Sequence, residues 1–184
     1  YVERELLNET VGSQDQVMAA YGGFNHIKFL PNGEFSVQPV TISPERIKEL
    51  NAHLMLFYTG VERTASEIAE SYVNDVNGKR RELRIMKDLV EEGISILNSS
   101  QDISVFGKLL YETWQAKQSL SSKVSNSYVD EIYDQALSTG AVGGKLLGAG
   151  GGGFMLLFVL PCYQQKVREK LSDLIYVPFK FEFS

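Results

Sequence analysis

Residues 143–160 read GGKLLGAGGGGFMLLFVL. Eight of the chain's 16 glycines lie between Gly140 and Gly153, and the run passes straight into an apolar segment with strand character. Two readings fit. Backbone N–H groups in a glycine loop converge on anions, phosphates above all, and the strand behind would fix where they sit. Alternatively the run is a tight crossover from helix to strand that holds no ligand. It is not a Walker loop, because it lacks the Gly-Lys-Ser/Thr ending and Lys145 precedes the glycines. Nor is it the dinucleotide fingerprint, because the expected order is helix, loop, strand.

Upstream of that stretch, spacings of three and four predict helices over residues 61–77, 80–97, 102–120 and 127–139. In the second of these the repeating positions are Leu83, Met86, Val90, Ile94 and Leu97; Gly140 sits where the last helix needs a C-terminal cap. Residues 52–59, AHLMLFYT, read as a buried strand ending at Gly60. Before them, Ser43-Pro44 form an N-cap and N1 pair for a short helix to about Leu50. FNHIKFL and EFSVQPV flank Pro31-Asn32-Gly33 and predict a hairpin. Residues 2–7 resemble the end of a helix, a polar loop centres on Gly12, and a further helix runs from Asp15 until Gly22-Gly23 stop it. Downstream, Pro161 opens a helix through Val167, Leu171 and Leu174. A last strand then alternates Ile175, Val177, Phe179 and Phe181 against Tyr176, Lys180 and Glu182. About five strands with helices between them predict an α+β fold, an antiparallel sheet with helices on one face.

Composition narrows the classes. The 184 residues carry a net charge of -5 and are 43% hydrophobic and 22% charged, enough for a sizeable core. No broad positive surface exists to neutralise a nucleic-acid backbone, so nucleic acid is not an expected partner. The one basic cluster, Lys79-Arg80-Arg81, reads as a solvated helix start. No apolar run reaches membrane-spanning length, and no membrane partner is expected. A single cysteine, Cys162, excludes a disulfide within the chain and a cysteine-built zinc site; it reads as a buried or half-exposed thiol. His26 and His53 lack metal-ligand spacing and read as structural residues on strands, so no metal ligands are assigned here. The chain opens without methionine, in what reads like the middle of a helix, which points to a fragment or processed chain.

Asp15 follows a Gly-Ser-Gln turn at a helix start. One reading is an acid that favours the helix N-terminus. The other pairs it with the glycine loop: a phosphoryl group needs positioning, and an attacking hydroxyl needs an acceptor for its proton.

Four stretches carry a resemblance: VGSQDQVMAAYGGFNHIKF, LMLFYTGVERTASEI, WQAKQSLSSKVSN and GGKLLGAGGGGFMLLFVLP. Together, in this order, they resemble the GHMP kinases, the superfamily of galactokinase, homoserine kinase, mevalonate kinase and phosphomevalonate kinase. Within it they are similar to the branch of D-glycero-D-manno-heptose 7-phosphate kinases and related sugar 1-kinases. The family's N-terminal half carries a first sugar motif and a Pro-x-x-x-Gly-Leu-Gly-Ser-Ser phosphate loop that this chain lacks. The resemblance therefore implies the C-terminal part of such a kinase. Residues 1–24 would be the end of the N-terminal-domain region and 25–184 a ferredoxin-like C-terminal domain.

What the resemblance implies for function follows residue by residue. Asp15 matches the catalytic aspartate, as base or electrostatic orienter. Gly148, Ala149, Gly150 and Gly151 match the turn beside the nucleotide phosphates. Gly22, Gly23 and Phe24 would form a sugar-side wall. Thr59, Gly60 and Arg63 follow a strand end, and Arg63 has the fork geometry to grip a substrate phosphate, although it also reads as a surface helix charge near Glu62 and Glu67. Lys117 and Ser119 to Ser122 belong to a motif without an assigned role. Lys145 reaches a phosphate or is solvated; Trp114 reads as core. The implied partners are ATP and a sugar or sugar phosphate. Mg2+ is implied too, with its ligands mostly expected in the N-terminal half, and the expected compartment is the cytoplasm. The implied reaction is phosphorylation at C1, with heptose 7-phosphate the first candidate substrate, for nucleotide-activated sugar synthesis. Alone the chain is expected to be inert and to self-associate through the face its other half would cover. The alternative is a non-catalytic module that keeps the fold and binds a sugar phosphate or a partner.

Overall fold

The computed structural model describes residues 12–62, 68–71 and 75–181. The expected helix end at residues 2–7, most of the expected helix over 61–77, and Arg63 lie outside the described residues. Element order is α1 (Gln14–Tyr21), β1 (Asn25–Phe29), β2 (Phe35–Pro39), α2 (Pro44–His53), β3 (Leu54–Tyr58), α3 (Arg80–Leu97), α4 (Ser104–Gln118), α5 (Ser127–Thr139), β4 (Ala141–Leu146), β5 (Phe154–Val159), α6 (Gln164–Lys170) and β6 (Ile175–Val177). The four-stranded sheet has the order β4-β5-β3-β6, antiparallel throughout. The α+β expectation is met.

Three expectations change. First, the glycine run is not one loop. Ala141–Leu146 is a strand, so the order is helix, strand, turn, strand. Glycine is a poor strand former, but here the packing requires it. A Cβ on Gly143 would lie 2.1 Å from the carbonyl oxygen of Gly107 in α4, and one on Gly144 would lie 2.4 Å from the carbonyl oxygen of Leu156. Second, β1 and β2 pair only with each other around Pro31-Asn32-Gly33, from Phe29↔Phe35 to Asn25↔Pro39, and form a separate two-stranded sheet. Third, β6 ends at Val177, because Pro178 has no N–H to give the ladder. Both faces of this last segment pack, Tyr176 against one core cluster and Phe179 and Phe181 against another. Ile175 is 64% exposed, while Tyr176 turns inward against Phe57.

Alternate residues of β3 and β5 enter two clusters. Met55, Phe57, Met155, Leu157 and Val159 pack with Val129, Ile132 and Ala136 of α5 and Val167 of α6. Leu54 and Phe158 pack with Leu50 of α2, Leu97 of α3 and Leu110 of α4. Helices therefore cover the second face of the sheet as well. The apolar repeat of α3 is divided between core and surface, with Leu97 buried and Met86 packed against the core. Leu89, Gly93, Ile96 and Leu97 are buried, whereas Leu83 and Val90 are exposed. Met86, Val90 and Ile94 also line a cleft of about 340 Å³. Pro161–Tyr163 forms a single 3-10 turn, and α6 stops at Lys170. Cys162 in that turn is exposed. His53 ends a helix rather than lying on a strand, and its ring stacks on Phe158 at 5.0 Å.

The close approach of α4 to β4 predicts that Gly143→Ala lowers stability by about 3 kcal/mol, the upper range for overpacking. Urea unfolding measures this; an unchanged midpoint would mean the helix does not sit backbone-to-backbone on the strand.

Candidate functional site

The turn between β4 and β5, residues 147–153, is gripped by three separate pieces of chain. From α4, the buried Lys117 ammonium donates to the carbonyl of Leu146 at 3.1 Å and to that of Gly148. From the segment before α5, the Val124 carbonyl accepts from the Gly151 N–H at 2.8 Å, and Asn126 Nδ2 donates to the Gly151 carbonyl at 2.9 Å. Asn126 also caps α5, its Oδ1 accepting from the Val129 N–H at 3.0 Å. From the end of β3, the Thr59 N–H and hydroxyl both donate to the Gly153 carbonyl at 2.9 Å, and the Gly153 N–H donates to Val61 at 2.8 Å. Tyr128 closes the ring by donating its hydroxyl to the Thr59 carbonyl at 3.3 Å.

Side chains are excluded from the turn by the same contacts. A Cβ on Gly150 would lie 2.6 Å from the Val124 carbonyl oxygen, on a residue at φ 125°, and one on Gly152 would lie 2.4 Å from the Val61 carbonyl oxygen. The carbonyls of Gly148, Gly151 and Gly153 are thus committed to the protein. Among the described residues, the N–H groups of Gly148, Ala149, Gly150 and Gly152 donate to none. Backbone N–H groups left unpaired on a short turn are the kind of donor that anions recruit.

The electrostatics agree with that chemistry. Lys145, on β4 just before the turn, and Lys117 stand close enough to affect each other. Burial, and after it Lys145, pushes the Lys117 ammonium from 10.5 down to about 8. Burial pushes Lys145 down as well, and pushes the Tyr133 hydroxyl up where it donates to the Gly144 carbonyl at 3.2 Å. Neither lysine has a carboxylate partner among the described residues.

Asp15 stands exposed in the first turn of α1, where a carboxylate favours the helix N-terminus. Gly22 ends the helix at φ 62°, its N–H donating to the Met18 carbonyl at 2.8 Å, and Gly23 follows at φ 68°. Phe24 packs against Phe181 at 5.4 Å between ring centroids. Gln14, Met18 and Phe24 line the 340 Å³ cleft, and so does Lys145. The helix that carries Asp15 and the strand that leads into the glycine turn therefore border one space. Thr59 and Gly60 reach the turn from its other side, with Thr59 acting as a structural tie.

Thus Thr59, the turn glycines and the SSKVSN segment come together, although they lie far apart in sequence. Asn126, Val124 and the role of Lys117 escaped sequence reasoning. A Ser/Asn-rich stretch before a helix signals a cap, but nothing in it tells that the cap's second hydrogen bond reaches a turn 25 residues on. Trp114 is core, with no solvent exposure. His26 lies on β1 with its Nε2 3.8 Å from Glu91. No cluster of three His, Cys, Asp or Glu side chains that could hold a metal occurs among the described residues.

Known proteins resemble this chain in sequence and in fold. The profile of the family described as GHMP kinases C terminal matches residues 85–176, and the chain belongs to that family. It is 35% identical over 162 residues to a D-glycero-alpha-D-manno-heptose 7-phosphate kinase of Campylobacter jejuni, covering 87% of this chain and 48% of that protein. It is 28% identical over 181 residues to a bifunctional fucokinase/GDP-fucose pyrophosphorylase of Arabidopsis thaliana, covering 94% of this chain and 17% of that protein. The crystal structure of L. major mevalonate kinase with R-mevalonate superposes with a TM-score of 0.72 at 16% identity, over 95% of this chain and 54% of that one, a likeness of fold. The chain spans about half the length of the heptose kinase it matches and less than a fifth of the bifunctional protein.

Replacing Asn126 with Ala removes a helix cap and the hold on Gly151 together. The expected loss is about 2 kcal/mol in denaturant unfolding. A loss of a few tenths would show that the clasp contributes nothing beyond an ordinary surface contact.

Proposed function

We propose that this chain is the C-terminal half of an ATP-dependent sugar kinase that phosphorylates its substrate at C1, with heptose 7-phosphate the leading candidate. The observation that carries this reading is the clasped glycine turn. Its four unpaired amides and the neighbouring Lys145 suit a phosphate chain, and Lys145, on the strand that leads into the turn, borders one cleft with the helix of Asp15. Names of the relatives add support, since heptose 7-phosphate kinase and fucokinase both act on sugars.

ATP, when bound, supplies the phosphoryl group. The turn amides of Gly148, Ala149 and Gly150 receive phosphate oxygens, and Lys145 adds positive charge at the turn's entrance. The Asp15 carboxylate accepts a hydrogen bond from the attacking sugar hydroxyl and so directs its lone pair at phosphorus. As the new O–P bond forms, the bond to the ADP oxygen breaks. Gly22, Gly23 and Phe24 wall the sugar side, and Arg63 grips a substrate phosphate. Among the described residues no three His, Cys, Asp or Glu side chains cluster to hold a metal, and the Mg2+ ligands are expected mostly from the N-terminal half. Tyr21, Phe29 and Phe35 are 57%, 50% and 44% exposed and touch one another edge to face or tilted. This aromatic patch supports a face that packs on further chain or, in its absence, on a second copy.

A chimaera carrying the N-terminal half of the Campylobacter jejuni relative ahead of this chain tests the reading. ADP release is measured with heptose 7-phosphate, fucose, galactose and mevalonate. Turnover on a sugar is expected, falling about a hundredfold or more in Asp15→Asn, while the chain alone stays inert. A folded chimaera that turns over no sugar would transfer the assignment to a non-catalytic sugar-phosphate-binding module.

A further inference from the structure

Lys117 is a buried cation without a carboxylate partner among the described residues, and the proposed chemistry leaves it unused. Its position is closely determined. The ammonium stands over Trp114, with Nζ 5.9 Å from the ring centroid, and meets the carbonyls of Leu146 and Gly148. In a trans peptide the C=O and the following N–H point in opposite directions. Holding the Gly148 carbonyl toward Lys117 therefore aims the Ala149 N–H away from it. Asn126 does the same one step on: by holding the Gly151 carbonyl it aims the Gly152 N–H away from the clasp. Both of these N–H groups lack a partner among the described residues.

We infer that Lys117 is a positioning residue for the glycine turn: its ammonium draws the Leu146 and Gly148 carbonyls inward and so holds the Ala149 amide in the orientation an anionic ligand needs. This deepens the kinase reading, assigns a role to the WQAK segment, and separates the two lysines. Lys145 faces the cleft, while Lys117 acts from behind the turn. It also makes the order of the turn depend on pH. A charged ammonium attracts two carbonyl dipoles more strongly than a neutral amine does, and Lys117 gives up its proton near pH 8. The other titratable groups at this corner are Lys145 on β4, Tyr133 on α5 and Tyr111 on α4, which stacks near Tyr133. Tyr133 is pushed upward and stays neutral across this range.

The global consequence has the opposite sign. A lysine whose pKa is lowered by folding adds stability above its ordinary 10.5, and that contribution is lost as pH falls through about 8. Raising the pH from 7 to 10 should therefore loosen the turn while this group favours the folded state. A purely structural lysine would not produce that divergence.

Amide hydrogen exchange on this chain, without nucleotide, reads both effects. In Lys117→Met, which keeps an apolar side chain beside Trp114, exchange of the hydrogen-bonded Leu147, Gly151 and Gly153 amides is expected to rise at least tenfold, while Phe57 and Leu157 amides stay within twofold. In the unaltered chain, turn exchange corrected for base catalysis should climb above pH 8, and that climb should vanish in Lys117→Met. Wild-type protection of the turn in the variant would overturn the inference. So would turn and core amides accelerating together, or a flat corrected pH profile in the unaltered chain, which needs no variant to fold. Because no nucleotide is present, such a failure leaves the kinase reading intact. An inert chimaera whose turn still responds would overturn the kinase reading and leave Lys117 its role.

Discussion

Backbone meets backbone where α4 crosses β4. Gly143 leaves no room for a methyl group against the Gly107 carbonyl, and a Cβ on Gly107 would in turn lie 2.6 Å from the Phe158 ring. This contact seats the helix on the strand with no side chain between them. From that point the two elements run out by matching lengths. Ten helical residues from Gly107 to Lys117 cover ~15 Å, and five residues of extended chain from Gly143 to Gly148 cover ~16 Å. The lysine therefore arrives beside the turn carbonyls as a consequence of packing that begins a helix length away.

The turn itself shows how a flexible residue type becomes ordered. Glycines are used because Val124 and Val61 carbonyls press against the positions a Cβ would occupy. The contacts that exclude side chains also supply hydrogen bonds, so the chain's conformational freedom is removed from three sides. Each carbonyl bound inward leaves its peptide's N–H directed the other way. Binding carbonyls on one side of the backbone thus leaves N–H groups unsatisfied on the other, and two lysines without carboxylate partners among the described residues leave that corner positive.

Much of this was legible beforehand. The helices at residues 80–97 and 127–139, the hairpin around Asn32-Gly33, the strand after Leu54 and the cap at Gly140 follow from local rules of periodicity, capping and turn chemistry, and they are where the sequence places them. The strand at Ala141–Leu146 was hidden because Gly143 and Gly144 lower local strand preference, and only a helix outside the window explains them. The use of the α3 stripe was hidden for a related reason. Met86, Val90 and Ile94 are spaced for burial, but they line a cleft, and apolar spacing does not distinguish a core from a cleft wall.

By itself the sequence determined the α+β class, the family, the glycine turn as a candidate phosphate site and Asp15 as its candidate partner. These rest on short-range signals and on motif order, which a linear chain carries intact. Tertiary structure decided that Lys117, Asn126 and Thr59 converge on the turn, that they hold its Gly148, Gly151 and Gly153 carbonyls, and that Tyr176 rather than Ile175 faces inward at the sheet edge. Each of these depends on which surface lies opposite a residue. That opposition is set by strand register and by the approach distance of α4 to β4, and neither quantity is written in any single stretch of residues.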